Sequence, residues 1–143
     1  MKFIQKNQFV KIVGIFLFAF MGVVHVHGQS YSQSLLLNKE WVLRLPDKTF
    51  YSIHFFTDKE QILKDFVNNG VKTEVGLKEF YYLSNEVVDK FQPDSVGISK
   101  NGKYIVSKTN NGDLELNEIL ELTETTLKTK HLRSGTVLEY KVE

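Results

Sequence analysis

Residues 113–142, which read DLELNEILELTETTLKTKHLRSGTVLEYKV, decide the fold of this chain. Apolar and polar side chains alternate through three successive segments, which is the periodicity of a half-buried β-strand. Short polar turns separate the segments at Thr123-Glu124-Thr125 and at Ser134-Gly135. We therefore predict three consecutive antiparallel strands joined by hairpins.

Glu118 is the residue that interrupts the leucine face of the first of these segments. In a regular strand it would point inward and meet His131 or Arg133 of the next strand, as a polar anchor inside an apolar cavity. A buried carboxylate without such a partner is costly. Alternatively, a β-bulge at Asn117-Glu118 turns Glu118 to the solvent and places Ile119 in the core. The sequence favours the bulge and leaves the anchor open.

The chain upstream continues the same meander. Three Asn-Gly pairs, at 69–70, 101–102 and 111–112, predict hairpin turns because this dipeptide suits the type I′ turn. Residues 96–98 are predicted to be short and extended. Strands are predicted at the alternating or two-sided apolar runs 40–45, 49–57, 71–83 and 103–109.

Three segments are harder to assign. Residues 58–69 fit a helix that starts at Asp58 with Gln61 in a capping box, or a strand that runs into the Asn-Gly turn. We favour the strand. Residues 86–91 fit a short strand or a helical turn, and residues 30–37 are expected to be poorly ordered.

Eight or nine strands at a spacing of about 8–12 residues, with tight turns and no long helix, indicate a sandwich or an up-and-down barrel. Consecutive hairpins favour the barrel, which also removes exposed sheet edges. The chain has 143 residues and no cysteine, so we expect one domain that is stabilised without disulfides. The prediction is an all-β, antiparallel up-and-down β-barrel of about eight strands.

Residues 1–28 have the pattern of a secretory signal peptide. Three lysines accompany the uncharged apolar run 12–24, and a small residue precedes a polar start. The apolar run is shorter than the about 20 residues that span a membrane. We place cleavage after Gly28, so that residues 29–143 form the barrel domain, periplasmic or secreted, without stable membrane insertion. A retained N-terminal anchor is the alternative.

Composition and motifs narrow the chemistry. Loss of the leader's three lysines changes the formal net charge from +1 to −2, which leaves no basic surface for nucleic acid. The usual catalytic signatures and phosphate-binding loops are absent from the sequence. His54 and His131 with Glu118 could bind a metal. We favour ordinary strand histidines, and predict no enzyme activity, no cofactor and no metal site.

Four segments carry a resemblance to a known family: NKEWVLR (38–44), EFYYLSN (79–85), VGISKNGKYIV (96–106) and EILELTETTL (118–127). They resemble the small lipocalin-like β-barrels of exported bacterial proteins, a family whose functions are mostly unassigned. Lipocalins carry Gly-x-Trp on the first strand and pack a late arginine over the tryptophan. Here Trp41 matches and Arg133 is the candidate arginine, whereas Lys39 stands at the glycine position. The resemblance implies a lipocalin-like barrel, either hollow or smaller and filled by side chains.

The function that best fits this pattern is non-enzymatic binding of a small apolar or amphipathic ligand inside the barrel. The alternative is a protein–protein interaction or inhibitor module with a filled barrel and a protruding segment at residues 76–93. A third hypothesis is a hydrolase or isomerase with a polar cluster at the barrel mouth. The aromatic side chains suit a core as well as a pocket. The candidate ligand-binding residues are Trp41, Phe55, Tyr82, Tyr104, Glu118, His131 and Arg133.

Overall fold

A computed structural model describes residues 29–47 and 49–143. The predicted signal peptide, residues 1–28, lies outside the described residues. Over the described part of the chain there is no helix with the length and apolarity needed to span a bilayer. Two short 3₁₀ helices occur there, η1 (Gln33–Leu35) and η2 (Pro93–Ser95). The strands are β1 (Tyr31–Ser32), β2 (Glu40–Arg44), β3 (Phe50–Phe56), β4 (Glu60–Asn68), β5 (Val71–Ser84), β6 (Asn101–Gly102), β7 (Tyr104–Lys108), β8 (Leu114–Leu122), β9 (Thr126–His131) and β10 (Val137–Val142).

Eight of the strands close into a barrel in the order β10-β2-β3-β4-β5-β7-β8-β9, and β1 pairs with β6 in a separate two-stranded sheet. Every barrel neighbour is antiparallel. The barrel closes where β10 meets β2, with Tyr140 opposite Leu43 and Val142 opposite Trp41. The predicted all-β, antiparallel up-and-down barrel is therefore confirmed, including the three consecutive strands of residues 113–142.

The ladder registers show which side chains face the barrel interior, because cross-strand partners lie on the same face of a sheet. Trp41 is opposite His54, His54 is opposite Leu63, and Leu63 is opposite Leu77. Trp41 is fully buried in the core, so this row faces inward. The neighbouring residues along each strand face outward.

Apolar side chains fill one end of the barrel. This end contains the start of β2, the end of β5 and the hairpin between β8 and β9. Large side chains pack here with almost no exposed surface, so the end is closed to solvent. The cluster comprises Tyr31, Leu36, Trp41, Phe56, Tyr81, Leu83, Ile105, Ile119, Leu122 and Leu127.

Residues 31–37 close this end of the barrel, so the expectation that they are poorly ordered is wrong. Leu36 is fully buried in the core cluster. The side-chain Nε2 of Gln33 donates to Tyr81 Oη at 2.9 Å and to the Asp58 carbonyl at 3.1 Å. The Gln33 side chain, which suggested a solvated segment, is instead buried and forms hydrogen bonds inside the fold. These hydrogen bonds offset the cost of removing the amide from water.

The segment 58–69 forms strand β4, which confirms the strand over the helix. Asn69 and Gly70 have φ angles of 50° and 79°, so both take the left-handed conformation that a type I′ hairpin requires. The third Asn-Gly pair also turns, because the Gly112 N–H donates to the Thr109 carbonyl at 2.9 Å.

The second Asn-Gly pair, Asn101-Gly102, is not a hairpin turn, and that prediction is wrong. Both residues form β6 and pair with β1. A Cβ at Gly102 would lie closer than 3.0 Å to backbone atoms of Ser84. Glycine is therefore needed here for the close approach of two chain segments.

The connection between β5 and β6 is irregular apart from η2. Residues 86–91 form neither the strand nor the helical turn that the sequence allowed. Residues 96–98, predicted to be extended, form a turn in which Gly97 has a φ of 75°. The connection packs on the outside of the barrel, where the rings of Phe91 and Tyr82 lie 5.4 Å apart.

Candidate functional site

The half of the barrel opposite the filled core encloses a cavity of about 410 Å³. Side chains from seven of the eight barrel strands line it, so the closed sheet itself forms the wall. The apolar lining residues are Phe56, Ile62, Leu63, Leu77, Ile105, Leu127 and Leu138. The polar ones are His54, Gln61, Glu79, Ser107, Glu115, Asn117, Thr129, His131, Ser134, Thr136 and Tyr140.

The cavity lies beside a break in the barrel wall between β5 and β7. These two strands pair only through Tyr81–Ser84 on β5. Residues 71–80 of β5 pair with β4 alone among the described residues. Leu77 lines the cavity and is also 38% exposed, so the break gives access from the outside.

Strand β8 turns its polar face inward along the cavity. Asn117 is opposite His131 and Ile119 is opposite Thr129, but the register shifts before Glu121. This irregularity at Leu120 reverses the alternation, so that Leu122 returns to the core. Before this irregularity, the inward residues of β8 are Glu115, Asn117 and Ile119.

Glu118 consequently points outward, opposite Tyr104 on one side and Lys130 on the other. Its carboxylate forms an ion pair with Lys103 at 3.0 Å. Ile119 is buried in the core. The β-bulge hypothesis predicted these positions, with Glu118 facing the solvent and Ile119 in the core. The irregularity itself lies at Leu120 and not at Asn117-Glu118.

His131 and Glu115 form the central polar contact of the cavity. Glu115 takes the role that the sequence reading offered to Glu118, because it is an inward position of β8 near His131. His131 Nε2 contacts the Glu115 carboxylate. The Ser134 backbone N–H donates to His131 Nδ1 at 3.2 Å. Since Nδ1 accepts this hydrogen bond, Nε2 is the donor toward the Glu115 carboxylate.

His54 lies deeper in the cavity as a neutral group. Its Nε2 is 2.8 Å from Ser52 Oγ, and its ring packs edge-on against Tyr140 with centroids 5.0 Å apart. Burial lowers the pKa of His54 to about 4 and raises the pKa of Tyr140 to about 12. Both side chains are therefore uncharged at neutral pH and offer hydrogen-bonding groups without charge.

Titration of His54 is expected to make the fold less stable in acid. Burial holds its folded pKa at about 4, below the ordinary value of 6.5, so the unfolded chain binds the proton more tightly. The stabilisation is complete above pH 6.5 and is lost as the pH falls through the window from 6.5 to about 4. We expect a loss of up to about 3 kcal/mol over that window.

Urea unfolding of the wild type and of His54→Gln between pH 7.5 and 4 measures this effect. All other titrating groups are common to both proteins, so their contribution cancels in the difference between the two curves. The wild type should lose more stability in acid than the variant. Parallel curves would show that the native state takes up the proton as readily as the unfolded chain.

A second carboxylate and an unpaired hydroxyl lie on either side of the break. Gln61 Nε2 donates to Glu79 at 2.8 Å across β4 and β5. On the other side, Ser107 is fully buried and its Oγ has no hydrogen-bond partner. Ser107 is directly opposite Glu115, so both side chains face the cavity.

Of the seven candidate residues predicted from the sequence, His131 lines the cavity. Trp41 belongs to the filled core, where its Nε1–H donates to the Leu36 carbonyl at 3.0 Å. Arg133 is exposed in the turn after β9, and the cation that lies over the Trp41 ring is Lys39, 5.5 Å from its centroid. Arg133 therefore does not pack over Trp41 as the resemblance implied.

The remaining candidates are on the outer face of the barrel. Phe55 is opposite Glu40, whose carboxylate meets Lys64 on that face. Tyr82 is buried beneath the connection that follows β5, as its contact with Phe91 shows. Tyr104 is opposite Glu118 and lies under the Lys103 ammonium. The structure does not bring these side chains together at the cavity.

Sequence reasoning missed the polar side chains that do meet there. They occupy alternate positions of strands whose two faces are both partly apolar, so the alternation alone did not identify the inward face. The predicted inward position of His131 could have identified Glu115, because an inward residue of the neighbouring strand β8 is its potential partner. The missed residues are Gln61, Glu79, Ser107, Glu115 and Asn117.

No protein-family model, curated protein sequence or solved structure matches this chain. Within residues 29–47 and 49–143, no group of three or more His, Asp or Glu side chains is arranged to hold a metal ion. The arrangement supports hydrogen bonding and charge recognition next to apolar walls.

Proposed function

We propose that this chain is an exported, non-enzymatic, lipocalin-like β-barrel protein that binds a small amphipathic ligand in its cavity. The observation that carries the proposal is an open cavity of about 410 Å³ at one end of a barrel whose other end is filled. Small-molecule sites are typically concave spaces of about 300–1,000 Å³, with mostly apolar walls and a few convergent polar groups.

The lining favours an amphipathic ligand over a purely apolar one. Leu63, Ile105 and Leu127 offer apolar contact toward the interior. The His131–Glu115 pair offers a hydrogen-bonding and charged anchor. A purely apolar ligand would leave these polar groups desolvated without a partner, which costs free energy.

Export is supported by the leader pattern of residues 1–28. The resemblance of the first strand and of segment 118–127 to small lipocalin-like barrels is consistent with the same role.

Filling the cavity should abolish binding without unfolding the barrel. Leu138 lines the cavity, whereas its neighbour Val137 faces outward and is 47% exposed. We expect Leu138→Trp to weaken binding of the uncharged amphipathic dye N-phenyl-1-naphthylamine by at least about tenfold, because the indole occupies the ligand's space. Val137→Trp adds the same group outside and should bind the dye like the wild type.

Dye fluorescence measures the affinity, and circular dichroism confirms that both variants are folded. Equal dye binding by wild type and Leu138→Trp would place the dye outside the cavity and contradict the proposal. Native mass spectrometry of the purified protein tests the natural ligand. A small molecule that recurs across preparations and is lost in Leu138→Trp supports binding in the cavity.

The exposed part of β5 favours a second candidate function, a protein-interaction module. Val71, Val75, Leu77 and Phe80 are all substantially exposed on the segment that pairs only with β4. An extended segment of a partner protein could add to this free strand edge. Amide hydrogen exchange distinguishes the two functions, because a partner protects residues 71–80 whereas a cavity ligand protects the surroundings of His131.

A further inference from the structure

The charged groups of the cavity are of one sign. Glu79 and Glu115 are its carboxylates, and no lysine or arginine of the described residues lines it. His131 is the group that could offset one of them. Two carboxylates therefore face one imidazole that could offset them, and the formal charge of the cavity is negative.

Glu79 has a hydrogen-bond partner but no cationic one among the described residues. It accepts a hydrogen bond from the neutral amide of Gln61, and no ion pair to it occurs within the described part of the chain. A hydrogen bond from an amide stabilises the ionised carboxylate but does not neutralise it. A ligand that brings a positive charge would remove the cost of leaving this charge partly buried.

Ser107 supplies an independent indication of a ligand at the same place. Its hydroxyl is fully buried, lines the cavity and has no hydrogen-bond partner. It is directly opposite Glu115 on β8. It is also opposite Tyr81 on β5, two residues along the strand from Glu79, and Glu79 lines the same cavity.

The three groups together match one chemical species. A primary ammonium has three N–H donors, no acceptor and a positive charge. Two carboxylates and a hydroxyl provide acceptors for three donors, and the charge of the ammonium complements the carboxylates. A carboxylate or phosphate ligand would instead face like charges at close range, which is strongly unfavourable.

We propose that the ligand of this cavity is an amphipathic primary amine, bound through its ammonium by Glu79, Ser107 and Glu115 and through its apolar body by Leu63 and Leu138. The inference rests on the proposed function, because it names the class of ligand that the cavity takes. It also assigns a role to the break between β5 and β7, which lies between Glu79 on one side and the Ser107–Glu115 pair on the other.

Three probes with the same eight-carbon chain test the head group. Octylammonium, octan-1-ol and octanoate are titrated separately into the folded protein at neutral pH, with affinities measured by calorimetry and the site located by nuclear magnetic resonance. We expect octylammonium to bind at least about tenfold more tightly than octan-1-ol, and octanoate to bind most weakly.

Matched variants separate the cavity from the surface charge. Glu79→Gln and Glu115→Gln each remove one inward carboxylate, and each should lower octylammonium affinity about tenfold with little effect on octan-1-ol. Glu121→Gln removes the same charge from an exposed position and should leave both affinities unchanged. Ser107→Ala should lower octylammonium affinity while the fold remains at least as stable, because it removes an unpaired buried hydroxyl.

The outcomes distinguish this inference from the proposed function. If octan-1-ol or octanoate binds in the cavity as tightly as octylammonium, the cavity binds ligands but the amine assignment is wrong. If none of the three probes nor the naphthylamine dye binds, the proposed function fails and the amine assignment with it. An equal loss of octylammonium affinity in Glu121→Gln and Glu79→Gln would show only general electrostatic attraction, and would also overturn the assignment.

Discussion

Replacing Trp41 by alanine is expected to lower the free energy of unfolding by about 3–5 kcal/mol. Trp41 is fully buried at the centre of the filled end of the barrel. The substitution removes the largest side chain of that core and leaves a cavity that the rigid strands around it cannot collapse to fill. It also leaves the Leu36 carbonyl without the indole N–H that donates to it.

Chemical denaturation of the wild type, Trp41→Ala and Trp41→Phe measures the effect. Trp41→Phe keeps most of the apolar volume but loses the hydrogen bond, so its loss should be roughly 1–2 kcal/mol. Native domains are typically stable by only about 5–15 kcal/mol. Trp41→Ala should therefore unfold at a clearly lower temperature than the wild type. A loss of less than about 1 kcal/mol for Trp41→Ala would contradict the packing described for this end.

Replacing Leu36 by alanine is expected to lower the free energy of unfolding by about 2–5 kcal/mol. Leu36 is fully buried although it belongs to the N-terminal segment that the sequence alone marks as a loose lead-in. Its side chain covers Trp41 and the neighbouring core residues, so Leu36→Ala opens a void beneath the segment that closes the barrel.

Leu45→Ala is the matched control, since Leu45 undergoes the same chemical change at a position that is 41% exposed. Surface truncations usually alter stability by no more than about 0.5 kcal/mol. If Leu36→Ala and Leu45→Ala lose equal stability, the N-terminal segment does not close the barrel. Thermal and urea unfolding followed by tryptophan fluorescence reports both losses, because Trp41 is the sole tryptophan.

The contrast between the two ends of the barrel explains how the cavity is held open. Packing at the filled end fixes the end of β5 and the hairpin between β8 and β9, and these three strands also line the cavity. Their inward positions there carry polar side chains that pair with one another, such as Gln61 with Glu79. Paired polar groups resist the collapse that apolar side chains would favour.

The candidate site was predictable only in part. The alternation of β9 correctly placed Thr129 and His131 on one face with Leu127. The face of β8 was not predictable, because leucines occupy one side and Ile119 the other. The position of the irregularity at Leu120 depends on pairing with β9, and this decides that Glu115 faces inward and Glu118 outward.

The amino-acid sequence by itself determined the all-β class, the order of the hairpins and two of the three Asn-Gly turns. These are local properties, since alternation with a period of two and left-handed turn residues act within a few positions of the chain. Only the tertiary structure decided that residues 31–37 close one end, that Gly102 serves a close contact and that Glu115, not Glu118, meets His131. Each of these depends on contacts between residues distant in sequence, and a single shift in register turns every side chain of a strand to the opposite face.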